Sequence, residues 1–310
     1  MTRAGRWGVV LELAALAAVA SSCTGGTTGG GGRQYEVLAQ QSVPTQVTAL
    51  QSSADGAWLA VGLNGALQLR GPTGVPVTPA VQPGYIQALA FNANGATLFS
   101  GGQGNGLAAW NTTSGAQERA LTDAVFPVRA VATSQSGLVA AAFGDNTIRV
   151  FGQTGSETGR WLQHAVALAF VDDSTIVTAG ADGVVRRFSP TGSALGQFSA
   201  HVSGVAAMAV QGARVATAGF DGTVRVSTVM GAEEAVHTPG GTVTAVAFSS
   251  NGTLAAGTQE GDILVFTSST PQRLAAGSAV TALTGSALTR FYAGTQGGVL
   301  LTVDLPPLGD

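Results

Sequence analysis

Val205-Ala-Ala-Met-Ala-Val210-Gln-Gly-Ala-Arg-Val215-Ala-Thr-Ala-Gly-Phe220-Asp-Gly-Thr-Val-Arg-Val226 is the stretch from which the fold is read. It holds three short runs of alanine and β-branched residues, VAAMAV, RVATA and TVRV. Gln211-Gly212 separates the first two, and Gly219-Phe220-Asp221-Gly222 separates the last two. Short apolar runs that alternate and are bounded by Gly and Asp read as buried strands rather than helix. Asp-Gly suits a tight reversal because glycine takes positive φ without a steric penalty. The stretch therefore predicts three antiparallel strands, a, b and c.

Outward from it, the pattern recurs. VTALQ from Val47, IQALAF from Ile86, VRAVAT from Val128, AVALAF from Ala165, VTAVAF from Val243 and VTALTG from Val280 repeat strand a, with starts 37–42 residues apart. Each strand b runs into a pentad: VGLNG at 61–65, GQGNG at 102–106, AFGDN at 142–146, AGADG at 179–183, AGFDG at 218–222, GTQEG at 257–261 and GTQGG at 294–298. The fifth place is Gly in six copies and Asn146 in the other, the residue types most tolerant of positive φ. After strand c comes a small-residue turn, such as Ser114-Gly115 or Thr191-Gly192, and then a weaker strand d. Four strands per unit, repeated seven times, is the arithmetic of an all-β, seven-bladed β-propeller of four-stranded antiparallel blades over 34–310. The last unit lacks its strand d, since only seven residues follow Val303 and two are Pro306 and Pro307. Tyr35-Glu36-Val37-Leu38-Ala39 lies at the offset of a fourth strand. It is expected to complete blade 7 and close the ring, removing open edges.

Asp182-Gly183-Val184-Val185-Arg186 and Asp221-Gly222-Thr223-Val224-Arg225-Val226 resemble the WD40 repeat, which has an Asp-Gly turn before a strand ending in Trp-Asp. The resemblance covers about 35–304, although Trp110-Asn111, Phe151-Gly152, Phe188-Ser189, Phe266-Thr267 and Val303-Asp304 replace the signature dipeptide. It implies that His201, Thr217 and Asp221 form part of a buried hydrogen-bonded tetrad, with Val226 in the Trp-like position. It also implies a protein-interaction scaffold that docks partners on the face shared by b–c turns and d–a links. Tyr85, Phe126, Phe143, Phe220, Gln259 and Gln296 fall on that face and are the candidate partner-binding residues. Aromatic residues are enriched at interface cores. The alternative is that these side chains pack down onto neighbouring blades.

The chain opens MTRAGRWGVVLELAALAAVASSC, with Arg3 and Arg6 before a 14-residue apolar run, Trp7–Ala20. Such a run is shorter than the roughly 20 residues that span a bilayer, and suits a secretory signal. The lone Cys23 after small residues resembles the lipobox of bacterial lipoproteins, although Ala20 stands where Leu is usual and Glu12 interrupts the apolar run. The resemblance implies a signal peptide over 1–22 and a lipidated Cys23 opening a Gly/Thr-rich tether over 23–33, which places the propeller on the outer side of a bacterial envelope membrane. A plain signal peptide and a soluble secreted or periplasmic protein is the other reading. A single Cys excludes an internal disulfide.

Composition removes further classes. At 45% hydrophobic and 10% charged, the chain lacks the signature of charge-driven disorder, and its 45 glycines follow no collagen period. A net charge of −3 argues against a nucleic-acid partner. His164, His201 and His237 fall at or near fourth-strand ends of different blades, which suits one structural and two loop histidines better than a metal site. Asp172-Asp173 and Glu233-Glu234 sit in predicted turns, and neighbouring residues on a strand point to opposite faces. No nucleophile elbow, phosphate loop or zinc-protease motif occurs, and no cofactor is expected. Arg129 is the only ionisable residue in the seven predicted inner strands. The leading expectation is a non-enzymatic, monomeric propeller that docks a protein. The alternative is an envelope enzyme or quinone-cofactor propeller acting through its central channel.

Overall fold

Strand b is apolar along its whole length because both its faces meet another blade. Leu59–Leu63, Val139–Phe143 and Leu254–Thr258 are buried at every residue, whereas the outermost strands Gln117–Ala120 and Ala194–Ser199 are almost wholly exposed. The computed structural model describes residues 34–304 apart from 72–75, 78–83, 105, 123–125, 269 and 287–288, so the expected signal peptide, Cys23 and tether lie outside the described residues. Seven four-stranded antiparallel sheets follow one another: 47–77, 85–120, 128–162, 167–199, 205–237, 243–275, and 280–304 joined by Glu36–Ser42. In each, sequence order a-b-c-d is also spatial order, except that blade 7 takes its strand d from the N-terminal segment. No helix among the described residues is long and apolar enough to cross a membrane.

Closure is antiparallel, with Glu36 opposite Asp304 and Ser42 opposite Val299. Tyr35 anchors it. Its buried ring lies 6.0 Å from that of Phe291, its N–H donates to Gln272 Oε1 at 2.7 Å, and its carbonyl accepts from Gln272 Nε2. Gln272 opens strand d of blade 6, so one residue stitches two blades.

Hydrophobic clusters sit between blades. One joins Ile263 and Val265 of blade 6 to Val280, Leu283, Phe291 and Leu301 of blade 7. Backbones approach closely there. A Cβ on Gly101, Gly257 or Gly294 would stand 2.5, 2.3 or 2.2 Å from Cγ1 of Val128, Val280 or Val47, the first residue of the next strand a. These strand glycines therefore answer to a neighbouring blade rather than to a turn.

Strand a lines the central channel. In blades 1, 2, 3, 5, 6 and 7 its register with strand b slips by one residue near its start, so Thr48, Gln87, Arg129, Ala206, Thr244 and Thr281 are bulged. Such bulges increase local twist and re-aim side chains. The channel widens into cavities of about 230 Å³ and about 640 Å³ at its two ends, which meet at a girdle of Leu89, Val131, Leu168, Val246 and Leu283.

Candidate functional site

The face built from b–c turns and d–a links positions side chains by a simple rule. Phe143 pairs with Val128 and Gly219 pairs with Val205, in each case the first residue of strand a. The residue that follows starts the turn proper and points away from the blade, because successive strand side chains alternate. Phe220 is one such residue and is 63% exposed, while Phe143 is 3% exposed and packed among Val128, Val131 and Val139. The Arg149 guanidinium, 4.4 Å from the ring centre, covers what remains of Phe143. Phe143 is therefore core, which corrects its assignment as a partner-binding residue. A one-residue difference of phase, A-F-G-D-N against A-G-F-D-G, separates the two.

Gln259 and Gln296 occupy the Phe220 position in blades 6 and 7 and are exposed. Gln103 occupies it in blade 2, because Ile86 pairs with Gly102. Sequence reading missed it because the pentad there was framed on its glycines, one residue out of step with the strands. Phe126 is 42% exposed in the link to blade 3, and Tyr85 is half-buried beside Asn64, with which it forms an isolated bridge. Val202, also missed, is 93% exposed in the link from blade 4 to blade 5. The Phe220 N–H donates to Gly204 O at 3.1 Å, which brings its turn against the Val202 loop.

Beneath this corner the structure brings His201, Thr217 and Asp221 together. His201 Nδ1 lies 3.0 Å from both Asp221 carboxylate oxygens, and Nε2 lies 2.9 Å from Thr217 Oγ1. The imidazole is buried. Burial works to raise the Asp221 pKa, but hydrogen bonds from the Thr223 hydroxyl, His201 and the Thr223 N–H outweigh it and hold the carboxyl at about 2. Blade 2 keeps the complementary pair: Trp110 Nε1 donates to Ser100 Oγ at 2.7 Å, and Ser100 lies opposite Leu89 as Thr217 lies opposite Met208.

The remaining acids serve turns and strands. Asp145 pairs with Arg149 and Asp182 with Arg186, each at 2.6 Å. Glu233 and Glu234 diverge to Arg225 and Arg214, and Asp172 caps the Ser174 N–H while Asp173 reaches Ser136 of blade 3. His164 is exposed in a link, and His237 is half-buried 4.4 Å from the Phe266 ring, its pKa pushed down by burial. The three histidines do not converge, and among the described residues no group of three or more His, Cys, Asp or Glu is gathered.

A closed ring of seven four-stranded blades, with a buried His–Asp–Thr cluster under a b–c turn of blade 5, defines a seven-bladed β-propeller. The family described as WD domain, G-beta repeat matches residues 192–226. The matched window begins in the c–d turn of blade 4 and ends in strand c of blade 5, so the repeat joins strand d of one blade to strands a–c of the next. The chain is thus a seven-bladed propeller carrying a WD40 repeat. No curated protein matches it.

Proposed function

We propose that this propeller is a non-enzymatic docking module, monomeric, tethered to a bacterial envelope membrane through lipidated Cys23, that binds a protein partner on the face of b–c turns and d–a links. WD40 propellers are commonly protein-interaction scaffolds, and the observation that carries the reading is the apolar corner made by Phe220 and Val202, 63% and 93% exposed on adjoining loops. An aromatic side chain held outward by a turn, with polar Gln259 and Gln296 at the same position of blades 6 and 7, has the anatomy of an apolar centre with polar surroundings.

The test is site-specific photo-crosslinking in intact cells. A crosslinker at position 220 should trap a discrete partner that one at Gln135, on the opposite face, does not. The pair Phe220→Asp and Val202→Asp should abolish that product with the thermal midpoint unchanged. Equal crosslinking from both faces would defeat the docking assignment. Anchoring is tested separately: Cys23→Ala should lose palmitate labelling and leave the membrane fraction, and persistent membrane association would count against the lipid anchor.

A further inference from the structure

Among the described residues, Arg149, Arg160, Arg186, Arg214, Arg225, Arg273 and Arg290 each pair with a carboxylate. Arg119 does not. It stands on strand d of blade 2, Gln117–Ala120, and leans across to blade 3, where a Cβ on Gly155 would lie 3.7 Å from its Cδ and 3.8 Å from its Nε. That Nε is shut off from solvent and has no hydrogen-bond partner among the described residues. A buried donor on a charged group without an acceptor is costly, and here it belongs to a guanidinium whose charge no described carboxylate balances.

The guanidinium lines a cleft of about 390 Å³ between blades 2 and 3, on the face of the a–b turns, together with Asn92, Asn94, Gln135, Ser136 and Gln153. Among the described residues no carboxylate lines it. The a–b turn of blade 2 engages the asparagine acceptors of the wall. Asn92 Oδ1 accepts from the Thr97 N–H and Asn94 Oδ1 from the Ala96 N–H, each at 3.0 Å. Those bonds fix both amides, so their nitrogens are left as donors in the same cleft wall as Arg119. Phe99 supplies an apolar patch, and Gln135 is an exposed amide in the blade 3 turn.

We propose that this cleft binds a small polyhydroxylated oxyanion, of the size and chemistry of a sugar phosphate or a sugar acid. The oxyanion meets Arg119 and the two asparagine nitrogens, because oxyanions reward converging N–H donors and a planar guanidinium. The sugar hydroxyls meet the glutamines, and the ring lies toward Phe99. The volume exceeds what a bare inorganic anion fills. The site is on the opposite face from Phe220 and stands whether or not a protein docks there.

Calorimetric titration of the full-length protein with glucose 6-phosphate, with glucuronate and with glucose tests this. At least one of the two anions should bind about tenfold or more tighter than glucose, and Arg119→Gln should weaken that anion by about tenfold or more, the loss expected for a charged hydrogen bond. Which anion binds tighter distinguishes phosphate from carboxylate. Binding of neither anion, equal binding of glucose, or an affinity within about twofold of wild type in Arg119→Gln overturns the proposal. If Arg119→Gln does not fold, Gln135→Trp, which alters an exposed turn residue and closes the mouth, must weaken the anion similarly; unchanged affinity overturns the proposal as well.

Discussion

A buried imidazole needs a partner on each nitrogen, and His201 has Asp221 on one and Thr217 on the other. The arrangement was legible only through the resemblance to a WD40 repeat, which the Asp221-Gly222 turn and the histidine four residues before Val205 carry in this one blade. Removing the carboxylate in Asp221→Asn leaves a buried ring with a weakened partner, for an expected loss of roughly 1–3 kcal/mol in urea unfolding at pH 7. The pH dependence has a definite sign. Asp221 titrates at about 2 in the folded protein against an ordinary 3.8, so its contribution is complete above about pH 4 and disappears as pH falls through about 2. The gap in urea midpoint between wild type and Asp221→Asn should therefore narrow between pH 4 and 2. A gap that widens in acid would refute the assignment. Phe143 shows where residue-scale reading stopped. Its type suited an interface, but its position placed it under Arg149, so Phe143→Ala should cost about 3–5 kcal/mol while Phe220→Ala stays within about 0.5 kcal/mol by the same measurement.

At the scale of elements, strands and turns were written locally, and the packing of blades was not. Alternation and Gly-centred turns predict all four strands of a unit within one period. They do not reveal that Gly101, Gly257 and Gly294 are strand residues on which the next blade's valine rests. Gly294→Ala should cost about 1–3 kcal/mol through overpacking against Val47. Combined with Val47→Ala it should cost less than the sum of the two single changes, read as a coupling in a double-mutant cycle. Strict additivity would show that the contact does not set the cost. The N-terminal strand Glu36–Ser42 makes a different point. Its sequence was enough to place it, because blade 7 was one strand short, and its pairing with Val299–Asp304 fills that vacancy. Deleting 34–42 exposes the edge of Val299–Asp304 and uncovers Phe291. The melting midpoint should fall and light scattering rise, since an open strand edge templates association.

Across the whole molecule, the ring shares its burdens unequally. Inner strands are apolar, outer strands carry most of the ion pairs, and the two faces differ in kind: one presents Phe220 and Val202, the other the cleft of Arg119. Low overall charge follows, because blades packed against one another leave little strand surface for it. The scaffold reading and the anion cleft make separable predictions at this scale. Phe220→Asp with Val202→Asp should leave glucose 6-phosphate titrations unchanged, and Arg119→Gln should leave crosslinking from position 220 unchanged. Cross-effects in either direction would mean that the faces communicate through the blades.

The amino-acid sequence by itself determined the number of blades, the order of strands and the closure by the N-terminal segment. Each of these depends on turn chemistry and alternation within one repeat, or on counting repeats, whereas the His–Asp–Thr cluster was implied only by the resemblance to a WD40 repeat. Tertiary structure alone decided that Phe143 is buried and Phe220 exposed, that three pentad-region glycines are contact points, and that among the described residues Arg119 lacks an acid while most other arginines have one. Those outcomes depend on what the adjacent blade places within a few ångströms, and the adjacent blade lies some forty residues away along the chain.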